Sequence, residues 1–201
     1  MNKKAQFPLQ ENKGLTEWLN LIKVLNPVGV ADIKDVSAAW ADSAWMVAWK
    51  PSYSEVSMAS NYSAQFRYLS MGHLKCMVIE IHSLAKELIK SGGFVEESLS
   101  LTNVFDALKV ADADKIESWI KGGVNVVFYE QFANQFVWIP QGWVAVEQTC
   151  GGDAAIHMGI RKNFMLKSAA SIQNYKQCIA LCSKEGVDLT RMTAIAAIME
   201  A

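Results

Sequence analysis

The sequence predicts an α+β fold that is mainly β: an antiparallel sheet in two layers, with helices inserted on one side and flanking helices at both ends of the chain. Three observations carry this. Short apolar or alternating segments come in two groups, separated by Pro, Ser, Asn and Gly. A stretch of helical period lies between the groups, and the last third of the chain is helical. The strands do not alternate regularly with helices, so a parallel sheet with crossovers is disfavoured and a closed or sandwiched antiparallel sheet is favoured.

Length and charge bound the rest. A chain of 201 residues, 51% of them apolar, can bury one substantial core. A formal net charge of −1 supplies no field that would gather nucleic acid or an anionic membrane. No segment approaches the roughly 18 uncharged apolar residues of a spanning helix, and the lysines near the N-terminus are not followed by the apolar core of a secretion signal. The four cysteines lack a CxxC spacing or a regular framework, which suits a reducing compartment. The expected setting is intracellular, soluble or peripheral to a larger assembly.

The elements follow in order. Leu15, Trp18, Leu19, Ile22 and Leu25 share one helical stripe, with Thr16 as a cap and Pro27 as a stop. WMVAWK, EVSMA, QFRYLSM and HLKCMVIEI then read as strands. SLAKELIKSGG changes period to a short helix closed by Gly92 and Gly93, and two more helical pieces run from Val104 to Val110 and from Asp114 to Lys121. The β pattern resumes in VNVVFYE, QFVWI, WVAVEQT and AAIHMGI, with Cys150-Gly151-Gly152-Asp153 as a hairpin turn. Ile172, Tyr175, Cys178, Ile179 and Cys182 share a face that ends at Gly186, and a final helix starts from Asp188. The division is a lead-in with an N-terminal helix over 1–44, a sheet domain over 45–165, and a C-terminal helical segment over 166–201.

One stretch is more specific. FVWIPQGWVAVEQT has a Pro-x-Gly corner between two strand-like segments: Pro140 fixes φ on entry, and Gly142 permits the positive φ that folds the next strand back. Asn134, Pro140, Gly142, Ala145 and Thr149 stand where the second cupin motif has Gly, Pro, Gly, His and Asn. Gly142-Trp143-Val144-Ala145 resembles the Gly-Trp-Trp-His of the jumonji-C-like branch of the cupins. The resemblance runs over about residues 45–165 and implies a cupin, or jelly-roll-like, double-layered antiparallel sheet.

The family's chemistry rests on an iron ion held by two histidines and a carboxylate. Carried across, the resemblance puts the first pair near Ala59 and Asn61 and the last histidine at Ala145, so all three ligands are missing. A lysine that holds the 2-oxoglutarate carboxylate in relatives falls at about Leu74, with Lys75 one position away on the opposite face. The expectation is that the corner serves the fold and that no metal or other cofactor is held. The competing reading is a displaced triad of Glu80 and His82, two apart on a strand face, with His157 from a later strand.

Other features read more plainly. His73 is a turn residue beside Gly72, and Cys178 and Cys182, one helical turn apart, read as buried small hydrophobes rather than half of a zinc site. Trp40, Trp45, Trp49 and Tyr53 read as core and rim rather than a stacking platform. Arg161 and Lys162 follow the last strand as a basic pair able to meet an acidic group. In the last helix Met192, Ile195, Ile198 and Met199 form an apolar face for which packing on its own domain and contact with a partner are both open. The functional expectation is a catalytically silent, cupin-like binding or scaffolding protein, a small subunit or accessory of a larger assembly, with protein partners in a hetero-assembly or a homodimer. The alternatives are an iron- and 2-oxoglutarate-dependent oxygenase with displaced ligands, and a metal-free small-molecule binder.

Overall fold

Two four-stranded antiparallel sheets and five α-helices make up the computed structural model, which describes residues 43–47, 57–58, 62–150, 157–166 and 168–200. The strands are β1 (Ser43–Val47), β2 (Ser57–Met58), β3 (Ala64–Met71), β4 (His73–Glu80), β5 (Val126–Phe132), β6 (Gln135–Ile139), β7 (Trp143–Cys150) and β8 (His157–Phe164). The helices are α1 (Ile81–Lys90), α2 (Leu101–Lys109), α3 (Ala113–Gly122), α4 (Ala169–Cys182) and α5 (Thr190–Glu200). One sheet has the order β1-β8-β3-β6 and the other β2-β7-β4-β5. Consecutive strands therefore tend to fall in different sheets, and the chain crosses between layers at tight points such as Gly72, where φ is +97°. The N-terminal helix expected over residues 15–25, the Gly151-Gly152-Asp153 turn, Trp40, Trp49 and Tyr53 lie outside the described residues, as does the side chain of Trp45.

Strand period assigns the faces. In β4, Leu74, Cys76 and Val78 turn towards the other sheet, while Ile79 and Met77 face the helices. In β7, Ala145, Glu147 and Thr149 are buried on the inner side, and Val144 packs with the helices. The largest apolar core therefore lies between the outer face of the β2-β7-β4-β5 sheet and the helical layer, around Ile81, Leu84, Trp119, Tyr175 and Ile195. The space between the two sheets is narrower in its apolar content and holds most of the buried polar residues.

Local chemistry explains the helix boundaries. Ser100 caps α2 by accepting from the Asn103 amide, while the Asn103 side chain accepts from the Ser100 amide, a reciprocal box. Asp112 caps α3 by accepting from the Lys115 amide and Ser168 caps α4 by accepting from the Ser171 amide, without a reciprocal bond. Helix α1 starts earlier than the sequence suggests, taking Ile81 and His82 from the expected strand. Ile81, Leu84, Ala85 and Leu88 form one buried stripe at helical spacing, and that burial outweighs the alternating pattern of the preceding residues. Strand β8 runs further than expected, to Phe164, so Arg161 lies within it rather than after it.

For the last helix the sequence leaves packing on its own domain and contact with a partner both open, and the structure shows the first. Met192, Ile195, Ala196 and Met199 are buried in the main core of this same chain, against α4 and the helical layer, and only Ile198 of the expected partner face is exposed. Once α5 folds back along α4, the apolar stripe is covered from within.

Candidate functional site

The Pro140-Gln141-Gly142 corner is joined to the C-terminal helices. Gly142 has φ +74° and Asn134, in the turn where the chain crosses from β5 to β6 of the other sheet, φ +66°, both in the left-handed region that these tight turns need. Asn134 is fixed from two sides: its amide donates to the Leu69 carbonyl at 2.7 Å, and its side-chain oxygen accepts from the Tyr68 hydroxyl at 2.8 Å. Gln141 is fully buried; its side-chain amide donates to the Ser171 carbonyl of α4, and its side-chain oxygen accepts from the Leu166 amide. Asn174 of α4 donates back to the Gln141 carbonyl at 3.1 Å, and the Ile81 amide at the start of α1 donates to the Gly142 carbonyl at 2.9 Å. Trp143 lies at the rim of the inner cluster formed by Val78, Ile139 and Ala145. Sequence reading singled out the residues on either side of Gln141 and passed over Gln141 itself, because a polar residue in a turn gives no sign that it is buried.

Between the sheets sits a charged cluster that the sequence reading missed. Arg67 and Arg161 are directly opposite each other on β3 and β8, and Glu147 of β7 reaches across from the other sheet. One carboxylate oxygen of Glu147 pairs with Nη1 of Arg67, and the other accepts from Nη2 of Arg161 at 2.7 Å. Arg67 Nε donates to Gln65 Oε1, and Gln65 Nε2 donates to Asn163 Oδ1 at 2.9 Å. Like charges facing each other across a strand pair are unfavourable, and the shared carboxylate offsets that repulsion. Desolvation, and then the Arg161 charge, pull the Arg67 guanidinium down to about 9; desolvation pulls Arg161 down to about 10. Both remain charged at neutral pH. Burial pushes the Tyr129 hydroxyl and the neighbouring Cys76 thiol upwards, so neither is ionised beside them. Both oxygens of Glu147 are engaged, which makes it a brace rather than a base. The signal was available in the strand period: Glu147 is two residues from Ala145, and Arg161 is four from His157, on the same faces.

Where the resemblance puts the last iron ligand, the described structure offers no donor. Ala145 is 1% exposed, has no donor atom, and packs with Val78 and Ile139. Ala59 and Asn61 lie outside the described residues. The displaced triad is not assembled. Glu80 ends β4 opposite Trp143 and accepts from the Asn125 side chain at 2.6 Å. His82 is in the first turn of α1, where desolvation and then Lys86 lower its pKa. His157 is on β8 of the other sheet, next to the strand position paired with Met71. That places it near the His73 end of β4, seven residues and about 23 Å from Glu80 at a strand rise of ~3.3 Å per residue. Among the described residues no group of three His, Cys, Asp or Glu side chains is placed to hold a metal ion.

The remaining candidates resolve individually. Leu74 is buried between the sheets, while Lys75 faces outwards and pairs with Glu130 at 3.8 Å. His73 also meets Glu130, at 2.8 Å, and stacks on Phe132 with ring centroids 4.3 Å apart. Cys178 and Cys182 are both buried, with Cys182 donating to the Tyr62 hydroxyl oxygen at 3.0 Å, and burial raises both thiols. Arg161 does meet an acidic group, the internal Glu147; the side chain of Lys162 lies outside the described set. No helix among the described residues is long and apolar enough to cross a membrane. The chain matches no protein-family model and no curated protein.

Proposed function

We propose that this chain is a cupin-like jelly roll, similar to the jumonji-C branch but without its metal ligands, that acts as a non-catalytic binding or scaffolding subunit. The carrying observation is Ala145: at the position where the resemblance puts the last iron ligand, the chain has a buried methyl group packed between apolar side chains. The strand orders β1-β8-β3-β6 and β2-β7-β4-β5 support the jelly-roll reading, since they are those of two Greek keys folded over each other. The interior supports the non-catalytic part. Its charged groups are spent on one another through Glu147, and an iron ion needs open, electron-rich donors on one face.

The corner keeps a structural purpose in this reading. Through Gln141 and Asn174 it ties the end of β6 and the start of β7 to α4, so the motif that positions a metal ligand in relatives here fixes the helical layer to the sheet. Equilibrium dialysis of the full chain against Mn(II), as a stable stand-in for Fe(II), tests the proposal. The expected result is no saturable binding; one tightly bound ion per chain would overturn it.

A further inference from the structure

The outer face of the β1-β8-β3-β6 sheet is apolar, and the described helices lie elsewhere. Arg67 and Leu69 of β3 point to the other sheet, so strand period turns Ala64, Phe66 and Tyr68 outwards. The pairing of β3 with β6 sets Trp138 beside Phe66 and Phe136 beside Tyr68 on the same face. Ring centroids lie 5.1 Å apart for Phe66 and Phe136, 6.0 Å for Phe66 and Trp138, and 4.6 Å for Tyr68 and Phe136. Register with β8 and β1 adds the strand positions of Met158, Ile160, Ala44 and Met46, and position 162 is the one charged position in this set. All five described helices contribute instead to the core on the outer face of the other sheet. Yet Ala64 is 0% and Tyr68 2% exposed, on the strand between β8 and β6. A sheet buries an apolar face against a further layer, and burial this complete on an outward face calls for one.

We propose that residues 15–25 fold as an amphipathic helix that lies across this face, with Leu15, Trp18, Leu19, Ile22 and Leu25 against Phe66, Tyr68 and Trp138. Connection points to this segment. It leads into Ser43, the first residue of β1, and β1 is an end strand of the same sheet. The stretch 26–42 between them can reach roughly 55 Å when extended, at ~3.3 Å per residue, so the segment is tethered beside the face without being held off it. Size agrees as well: the stripe from Leu15 to Leu25 runs about 15 Å at ~1.5 Å per residue, and four strands at a spacing of about 4.8 Å span about 14 Å. The other broad face is already filled by the helical layer. With the segment in place the layers run helices, sheet, sheet, helix, and the stripe and the aromatic face cover each other. The proposal does not depend on the scaffold reading, but it removes this face from the surfaces that a partner could use.

Photo-crosslinking on the full chain tests it. p-Benzoylphenylalanine takes the place of Trp18, a mixture of isotopically light and heavy chains is illuminated at low concentration, and the products are mapped by mass spectrometry. The expected product is a crosslink within one chain to the peptides that hold Phe66 and Tyr68 or Phe136 and Trp138. Crosslinks confined to light–heavy pairs would give the face to a second copy, crosslinks to the helical layer would put the segment elsewhere, and no crosslink would leave the face to another partner; each overturns the proposal. A second measurement keeps all native aromatics. Leu19→Glu together with Ile22→Glu should raise the fluorescence of bound anilinonaphthalene sulfonate severalfold and lower the thermal midpoint, whereas Asn20→Glu, on the opposite side of the helix, should leave both at the wild-type level. Equal behaviour of the two variants would also overturn the proposal. None of these outcomes bears on metal binding, which tests the scaffold reading separately.

Discussion

Replacing Glu147 by Gln removes the one carboxylate that Arg67 and Arg161 share while keeping the side chain's size. Arg67 is 2% exposed and Glu147 5% exposed, so solvent cannot take over the lost interaction at Arg67. Two guanidiniums that face each other across β3 and β8 would then repel without a counter-charge. Breaking a buried ion pair by removing one partner costs about 3–5 kcal/mol, because the remaining charge stays desolvated. The expected loss for Glu147→Gln is in that range, a large share of the roughly 5–15 kcal/mol by which domains are stable. Urea denaturation followed by far-ultraviolet circular dichroism measures it as a lower midpoint at unchanged slope. A control removes the charges together: Arg67→Met, Glu147→Leu and Arg161→Met in one chain should be close to neutral or stabilising, since no uncompensated charge is left. A loss below about 1 kcal/mol for Glu147→Gln, or a triple variant less stable than the single one, would refute the view that the cluster is a mutual brace.

Two further outcomes follow from the geometry. Gly142→Ala should destabilise by about 1–2 kcal/mol from the positive φ alone, and somewhat more because the new Cβ would meet Asn174 Cβ at 3.0 Å; a thermal midpoint unchanged from wild type would show that the corner and α4 are not held as described. Burial, and then the Arg161 charge, lower His157 from 6.5 to about 4, so the unfolded chain binds the extra proton first as pH falls. This contribution is full above pH 6.5 and is lost as the pH drops towards 4, on the order of 3 kcal/mol at 1.36 kcal/mol per pH unit; the stability difference between wild type and His157→Gln should be constant above pH 6.5 and shift against the wild type between pH 6.5 and 4, and parallel curves over that interval would contradict it.

Much of the sheet was legible because its signals are local. Alternation marked β3, β4, β6 and β7, and the turn chemistry of Asn134 and Gly142 depends on only a few residues. Boundaries decided by distant packing were not legible: Ile81 reads equally well as the end of a strand or as the first residue of a buried helical stripe, and only the helical layer decides. The Arg67–Glu147–Arg161 cluster was hidden for a related reason. Each residue looks like an ordinary surface charge until strand pairing brings positions 67, 147 and 161 into one layer. The last helix was read correctly as needing cover, but the sequence could not say that α4 and the core around Trp119 and Tyr175 supply it.

The central claim is that the interior of the sandwich is a braced core and not a catalytic site. Its most direct test is 2-oxoglutarate turnover by the purified full chain, supplied with Fe(II) and ascorbate, with bound iron measured in the same sample. The account predicts no turnover above a protein-free control and no stoichiometric iron. Turnover with one iron per chain, abolished by His82→Ala or His157→Ala, would contradict it and put a displaced iron site in its place.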